Sequence, residues 1–316
     1  MIEIRQMTKD DLGLGVRLTQ EAGWNHLESD WLRFFNLGSE GSFVAEFEGR
    51  AVGTTMTFIS NQVAWVAMVL VEKASRGKGV GTALLKQALD DLEMREIKTV
   101  RLDATHLGQP LYEKLGFLPE YEVARFSGIA PQLGGSLKMD VARPSWPCFH
   151  GPEARATLRD GGAKAINRGR PMCLPWATTG RLPPLEDIIE FDERMTGTRR
   201  AKMLKALFEE FPGNSRVVMK DGDIEGFVTL HPGRSAIQIG PCTATLNAGP
   251  ALLSDAFGRC AGKAVFVDIP TDHVHAVQIV EKSGLEIQRR FRRMYRGERI
   301  RDNIHAIWAS SGPEKG

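Results

Sequence analysis

The sequence is short of cysteine: only Cys148, Cys173, Cys242 and Cys260 occur in 316 residues. They stand far apart, with no CxxC pair and no histidines at zinc-ligand spacing, so free thiols in a reducing cytosol are expected and no metal site. No run of about eighteen apolar residues occurs, which leaves no candidate membrane-spanning helix. The opening Met1-Ile-Glu-Ile-Arg alternates like a strand and lacks the basic, apolar and small-residue order of a secretion signal. A soluble, cytoplasmic protein is expected. Charge of one sign is scarce too: 41 Lys and Arg against 39 Asp and Glu leave a net +2. Without a basic stripe, neither nucleic acid nor membrane is an expected partner.

What is present is ordinary globular composition, 42% hydrophobic and 25% charged, in a chain long enough for about two domains. Residues 2–5 read as a strand, and Thr8 with Asp11 three residues on reads as a capping box opening a helix. Gly23-Trp24-Asn25 breaks that helix and Ser29-Asp30-Trp31 starts another. Phe43 to Phe47 and residues 52–58, joined through Glu48-Gly49-Arg50, read as a hairpin. Residues 64–71 form a nearly continuous apolar run, the mark of a strand buried on both faces. Ala83, Leu84, Leu85, Ala88, Leu89 and Leu92 then fall at helical spacing. Val100 and Leu102 alternate into Asp103, and a short helix ending at Gly116 precedes another strand.

An internal repeat runs through the chain. Ala83-Leu84-Leu85 recurs 168 residues later as Ala251-Leu252-Leu253, and Glu113-Lys114-Leu115-Gly116 as Glu281-Lys282-Ser283-Gly284. Gly49 and Gly53 return as Gly222 and Gly226 at a slightly different offset, as a change in loop length produces. The order implies a tandem duplication. Residues 127–182, rich in Gly and Pro and poor in periodicity, are a connection expected to hold short strands or to cover a pocket.

Chemistry concentrates where the apolar strand ending at Val71 runs into Arg76-Gly77-Lys78-Gly79-Val80-Gly81-Thr82 and a helix. Unpaired N–H groups at a positive helix end make a pyrophosphate cradle. Glycines let backbone approach phosphate oxygens closely, Arg76 and Lys78 add charge, and Thr82 adds a hydroxyl. The spacing is neither a Walker loop nor a dinucleotide fingerprint, which sets aside nucleoside triphosphates and NAD.

These residues resemble the GNAT superfamily of N-acetyltransferases, whose signature R/Q-x-x-G-x-G/A is matched by Arg76, Gly79 and Gly81. Leu111-Tyr112-Glu113-Lys114-Leu115-Gly116-Phe117 resembles the tyrosine-bearing segment that closes the same core. The resemblance covers about residues 2–126 and implies that Val69, Leu70 and Val71 bind the pantetheine arm of acetyl-CoA while residues 77–82 hold its pyrophosphate. Thr105 stands where the family often carries an asparagine that touches the cofactor. Tyr112 suits a general acid for the departing thiolate, because a phenol with a reference pKa of about 10 stays protonated at neutral pH. Oxyanion stabilisation falls to a backbone N–H of the splayed strand near Val69. Asp103, with His106 beside it, is the candidate base, although a strand-end aspartate is more often a cap. Met68 and Trp65 are candidates for the space around the thioester.

Gly23-Trp24-Asn25 with Trp31 resembles the acceptor-side segment of a tandem-domain subgroup, which nominates Trp24, Asn25 and Trp31 as substrate-binding; core packing is the competing role, strongest for Trp31. In the second half the glycine loop becomes Ala244 to Pro250 and Tyr112 becomes Val280, so CoA is expected only in the first. Asp192, Gly197, Arg200 and Leu204, then Ile239-Gly240-Pro241 and Val267-Asp268-Ile269-Pro270, resemble that subgroup's degenerate C-terminal domain. Asp268, His273 and His275 raise a metal site, but capping or solvated roles fit them better.

The expected fold is therefore α/β with a mixed (α+β) sheet. It comprises two tandem GNAT-like domains at 1–126 and 183–316, each a mixed, mostly antiparallel sheet flanked by helices. The expected activity is direct transfer of acetyl from acetyl-CoA to a primary amine of a small-molecule acceptor, since no nucleophile with a neighbouring base occurs. A non-catalytic acyl-CoA-binding module and transfer of a longer acyl group are the alternatives.

Overall fold

The computed structural model describes residues 1–132 and 183–312. Cys148, Cys173 and most of the expected connection lie outside the described residues. The first half contains β1 (Ile2–Gln6), α1 (Leu12–Glu21), α2 (Glu28–Gly38), β2 (Phe43–Phe47), β3 (Arg50–Ser60), β4 (Val63–Val71), α3 (Val80–Met94), β5 (Thr99–Thr105), α4 (Gln109–Lys114) and β6 (Leu118–Ile129). The second contains α5 (Leu185–Thr196), α6 (Ala201–Glu210), β7 (Arg216–Lys220), β8 (Asp223–His231), β9 (Ile237–Ala244), α7 (Gly249–Arg259), β10 (Ala264–Pro270), α8 (Val274–Lys282), β11 (Glu286–Gly297) and β12 (Ile307–Ala309). Because β6 runs to Ile129, the connection starts later than its composition implies.

Local chemistry accounts for the element boundaries. The Thr8 amide donates to Asp11 Oδ2 at 2.8 Å, closing the capping box, and one turn of 3-10 helix leads into α1. Glu48 and Gly49 both take positive φ in the β2–β3 turn, as Asp221 and Gly222 do between β7 and β8. Trp31 and Phe34 on α2, both 0% exposed, pack with Leu18, Val44 and Met56 between the helices and the sheet. No helix of the described residues is long and apolar enough to cross a membrane.

The duplication is visible element by element. α1, α2, β2 and β3 begin at 12, 28, 43 and 50, and α5, α6, β7 and β8 at 185, 201, 216 and 223, each 173 residues later. From β6 (118) to β11 (286) the offset is 168. Most of the change falls in one loop: eight residues (72–79) separate β4 from α3, but four (245–248) separate β9 from α7.

The halves do not form two sheets. Their strands join into one, in the order β1-β2-β3-β4-β5-β11-β6-β10-β9-β8-β7, with β12 added against β9. By the repeat, β6 and β11 are equivalent, yet each lies against the other half's preceding strand. β11 pairs antiparallel with β5 from Phe291↔Thr105 to Gly297↔Thr99, and β6 with β10 from Val123↔Pro270 to Ile129↔Ala264. The last strands are thus exchanged, and neither half completes its sheet alone.

Buried ion pairs fix the exchange. Arg293 on β11 clamps Asp103 on β5 through two 2.9 Å bonds, and Arg125 on β6 clamps Asp268 on β10 through two of 2.8 Å. Removing one partner of either pair strands a buried charge and costs about 3–5 kcal/mol. Away from the strands, Arg33 on α2 meets the partly exposed Glu210 on α6 at 2.5 and 2.9 Å.

Candidate active site

β4 and β5 run parallel only from Val63↔Thr99 to Trp65↔Arg101 and then diverge. Past that point β4 keeps its ladder with β3 on one side, while its other edge has no strand partner among the described residues. Backbone N–H and C=O groups need partners, so an unpaired central strand edge is a template for an extended ligand. A bulge sharpens the opening: Thr54 pairs with Leu70 but Met56 with Ala67, and Met68 takes φ +52°, with the Thr54 hydroxyl donating to its carbonyl at 2.9 Å.

The divergence opens a cavity of about 1200 Å³ lined by residues 66–71 of β4, the loop and start of α3, Asp103, Thr105, Leu111 and Tyr112. Gly79, the residue before α3, takes φ +88°, and an added Cβ meets only Ile2 Cδ1 at 3.8 Å. Its glycine is demanded by backbone angle, and the start of α3 that follows it stands on the cavity wall. Gly77, Gly79, Val80, Gly81 and Thr82 all line it, as does Arg76, whose Nε is anchored on the Val71 carbonyl at 3.0 Å. A free strand edge ending in an open helix N-terminus fits a long amide-bearing chain with a pyrophosphate, the shape of coenzyme A. Val69, Leu70, Val71 and Thr105 stand on this wall. The Lys78 side chain does not: it lies over the Phe47 ring, 5.0 Å from its centroid.

Tyr112 faces the cavity from α4, its ring edge-on to Phe117 at 5.9 Å. Its hydroxyl has no hydrogen-bond partner among the described residues, and burial pushes its pKa up to about 12. Such a phenol is a proton donor, not an acceptor, at any physiological pH.

The base nominated from sequence is corrected. The Asp103 side chain is fully buried and both its oxygens are engaged by Arg293. Burial raises its pKa against the pull of that guanidinium. Its task is to hold β11 on β5. His106 is exposed at the cavity rim. His26, which the sequence did not single out, lines the cavity beside Trp24, with ring centroids 5.6 Å apart.

The substrate-side nominations divide. Trp24, half-buried, lines the cavity. Trp31 is a core residue, 0% exposed and pressed on Gly15 of α1, where a Cβ would strike its ring. Asn25 is a clasp between the halves: its amide donates to the Ala236 carbonyl at 2.9 Å, and its Oδ1 accepts from the Ser235 and Ala236 amides and the Ser235 hydroxyl. These bonds commit its side chain to holding the two halves together. Met68 lines the cavity, whereas Trp65 sits outside it under Arg101 and Arg293.

What sequence reading missed is the wall supplied by the last strands of the two halves: Arg125 of β6 and, from the second half, residues 287–291 of β11. The cluster Arg289-Arg290-Phe291-Arg292-Arg293 was the available signal, but only the strand exchange brings it here.

The equivalent crevice of the second half is filled. β9 leaves β10 after Ile239↔Val267, and β12 enters the gap, with Ala309 opposite Cys242 and the Ser310 amide donating to the Asp268 carbonyl at 2.8 Å. Trp308, 1% exposed, donates to the Ala244 carbonyl at 3.2 Å and abuts Gly249 so closely that a Cβ there would collide with its ring. A chain segment thus occupies the space that in the first half is open cavity. Asp268 is held by Arg125, and His273 caps α8, its Nδ1 accepting from the Ala276 amide at 3.3 Å; these are structural roles. Asp192 and Arg200 form another bidentate pair, at 2.6 and 2.9 Å.

Comparison with known proteins agrees with this geometry. Residues 7–117 match the acetyltransferase (GNAT) family model, and residues 188–309 match an acetyltransferase (GNAT) domain model. The chain is 26% identical to the holothin acyltransferase of Pseudoalteromonas sp. (strain SANK 73390), over 98% of this chain and 87% of that protein. The fold is similar to a putative acetyltransferase from Pyrococcus horikoshii, with a TM-score of 0.73 at 21% identity over 100% of this chain and 96% of the other. It is also similar to a tandem GNAT protein from the clavulanic acid biosynthesis pathway, with a TM-score of 0.58 at 13% identity over 96% and 100% of the two chains.

Proposed function

The chain belongs to the GNAT acetyltransferase family as a tandem of two such domains, and from that premise we propose that its first half transfers acetyl from acetyl-CoA directly to a primary amine of a small-molecule acceptor. The observation that carries the reading is the open Tyr112 hydroxyl, in the same cavity as the free edge of β4 and the glycine-lined start of α3. A binding module needs the strand edge and the cradle; it has no use for a protonated phenol between them.

Residues 69–71 and 77–82 hold the donor, which supplies an acyl thioester. Backbone N–H groups at the bulge around Met68, which lines the cavity, stabilise negative charge on the carbonyl oxygen during attack. Tyr112 gives its proton to the departing sulfur. His26, on the wall with Trp24, takes the proton from the attacking amine. The relative's name specifies acyl rather than acetyl transfer, and acetyl is our choice of donor. A cytoplasmic location belongs to the same proposal: Cys242 and Cys260 are buried free thiols.

The test is thiol release from acetyl-CoA and from longer acyl-CoA thioesters with a panel of primary amines. Turnover with at least one amine, lost in Tyr112→Phe, is expected. Tight CoA binding with no turnover on any amine, and slow thioester hydrolysis indifferent to Tyr112→Phe, would leave a binding module instead.

A further inference from the structure

Five arginines lie along β11: Arg289, Arg290, Arg292, Arg293 and Arg296. Four have carboxylate partners. Arg290 and Arg292 reach Glu122, Arg293 grips Asp103, and Arg296 meets Glu93 at 2.7 Å. The Arg289 side chain alone of the five has no hydrogen bond or ion pair among the described residues, and the residue lines the cavity.

Its surroundings make that charge costly. Arg289 is half-buried and stands opposite Arg125 in the β11–β6 register. Burial and Arg125 both lower its pKa, with Asp268 the opposing influence. The Asp268 carboxylate is already engaged by Arg125 at two 2.8 Å bonds and by Gln238 at 3.0 Å. A partly buried guanidinium beside a second one, with the nearest carboxylate committed elsewhere, calls for an anion from outside the chain.

The position says which ligand brings it. Register places Phe291 opposite Thr105 and Arg293 opposite Asp103, so Arg289 continues the face of the sheet on which Asp103 and Thr105 stand. Tyr112 packs against the other face, with Leu102 and Ala104. The donor's pyrophosphate has its own cradle at the start of α3. We propose that the acceptor amine carries an anionic group, a carboxylate or a phosphate, which Arg289 binds through its planar fork while Trp24 and Phe291 flank the remainder of the molecule. This rests on the acetyltransferase reading and narrows its substrate class. It also gives the second half a function: the degenerate domain supplies the selectivity of the active one.

The experiment compares matched amines with acetyl-CoA: β-alanine against β-alaninamide, L-phenylalanine against its amide, and phosphoethanolamine against ethanolamine. Wild-type protein is expected to favour the anionic member of at least one pair by about 10- to 100-fold in kcat/KM, the worth of a charge-assisted hydrogen bond. The carboxylate pairs and the phosphate pair distinguish the two anions. Arg289→Gln should abolish the preference, Arg289→Lys retain part of it, and both should bind CoA as wild type does. Calorimetry of the CoA-loaded protein with 3-phenylpropionate, phenyl phosphate and 3-phenylpropionamide reads the anion site without turnover. If no amine releases thiol but an anionic probe binds and Arg289→Gln abolishes that binding, the catalytic reading has failed and the anion site stands. Equal turnover of both members of every pair, equal binding of the charged and neutral probes, or an Arg289→Gln variant that loses CoA affinity and keeps the preference, overturns the proposal.

Discussion

Each half of this molecule builds the same V-shaped crevice, where a central strand parts from its parallel neighbour, but the two are used differently. In the first half the crevice is an open cavity with eight residues between strand and helix. In the second, β12 lies in the gap, Trp308 stands against the helix start, and four residues make the connection. The divergence of strands belongs to the scaffold. Among the described residues, what distinguishes the two crevices is the long glycine loop of the first and the segment that fills the second.

The sharpest way to break this comparison is to damage the cradle. Gly79→Val forces a β-branched residue into a left-handed conformation at a point where the surroundings leave room, so the variant should fold yet misdirect the helix-start amides. CoA affinity should fall by about 100-fold or more, read by calorimetry. Wild-type protein should titrate to one CoA per chain; two sites would mean that the filled crevice opens.

Tyr112 and Val280 offer a matched pair, since each sits at the same place in its half and accepts an equivalent backbone bond, from Phe117 and from Leu285. Tyr112→Phe should lower kcat by about 10²- to 10⁴-fold with CoA affinity retained. Val280→Ala, at a site 0% exposed, should leave kcat alone and cost about 1–3 kcal/mol in urea unfolding. A kcat loss from Val280→Ala as large as that from Tyr112→Phe would erase the distinction between chemistry and packing.

How much of this was legible follows from how local each signal is. The cradle, the apolar strand and the tyrosine segment are short stretches whose meaning travels with their own residues, and all three stand where the sequence put them. The duplication was legible for the same reason: Gly49, Gly53, Ala83 and Gly116 have counterparts in order. Asn25, Trp31 and Asp103 meet partners 12 to 211 residues away, and a sequence does not show what a side chain meets; for Trp31 the packing role weighed beside the substrate one is the one its burial matches. The strand exchange was invisible in principle, since either β6 or β11 satisfies the same alternation beside β5. Arg289 became a site residue only through it.

A subtler test asks which of two features, the short loop or β12, would exclude CoA from the second half. Trp308→Ala removes the ring abutting Gly249 and should cost about 3–5 kcal/mol through the cavity it leaves. If the short loop is the deeper cause, this variant still binds one CoA per chain. A second equivalent would instead assign the exclusion to β12.

The smallest effect expected concerns pH, and it follows from the same asymmetry. Tyr112 is buried with its hydroxyl open only to the cavity, and its pKa is pushed up to about 12. An acid is competent below its pKa and lost above it, so kcat should change by less than about twofold between about pH 8 and pH 10. A solvated phenol of pKa about 10 would be half ionised at the upper end of that range and would halve the rate there. Measured with saturating acetyl-CoA, a fall centred near pH 10 that vanishes in Tyr112→Phe would show water reaching the hydroxyl from the acceptor side, and the wall that β11 contributes would not then be closing the site.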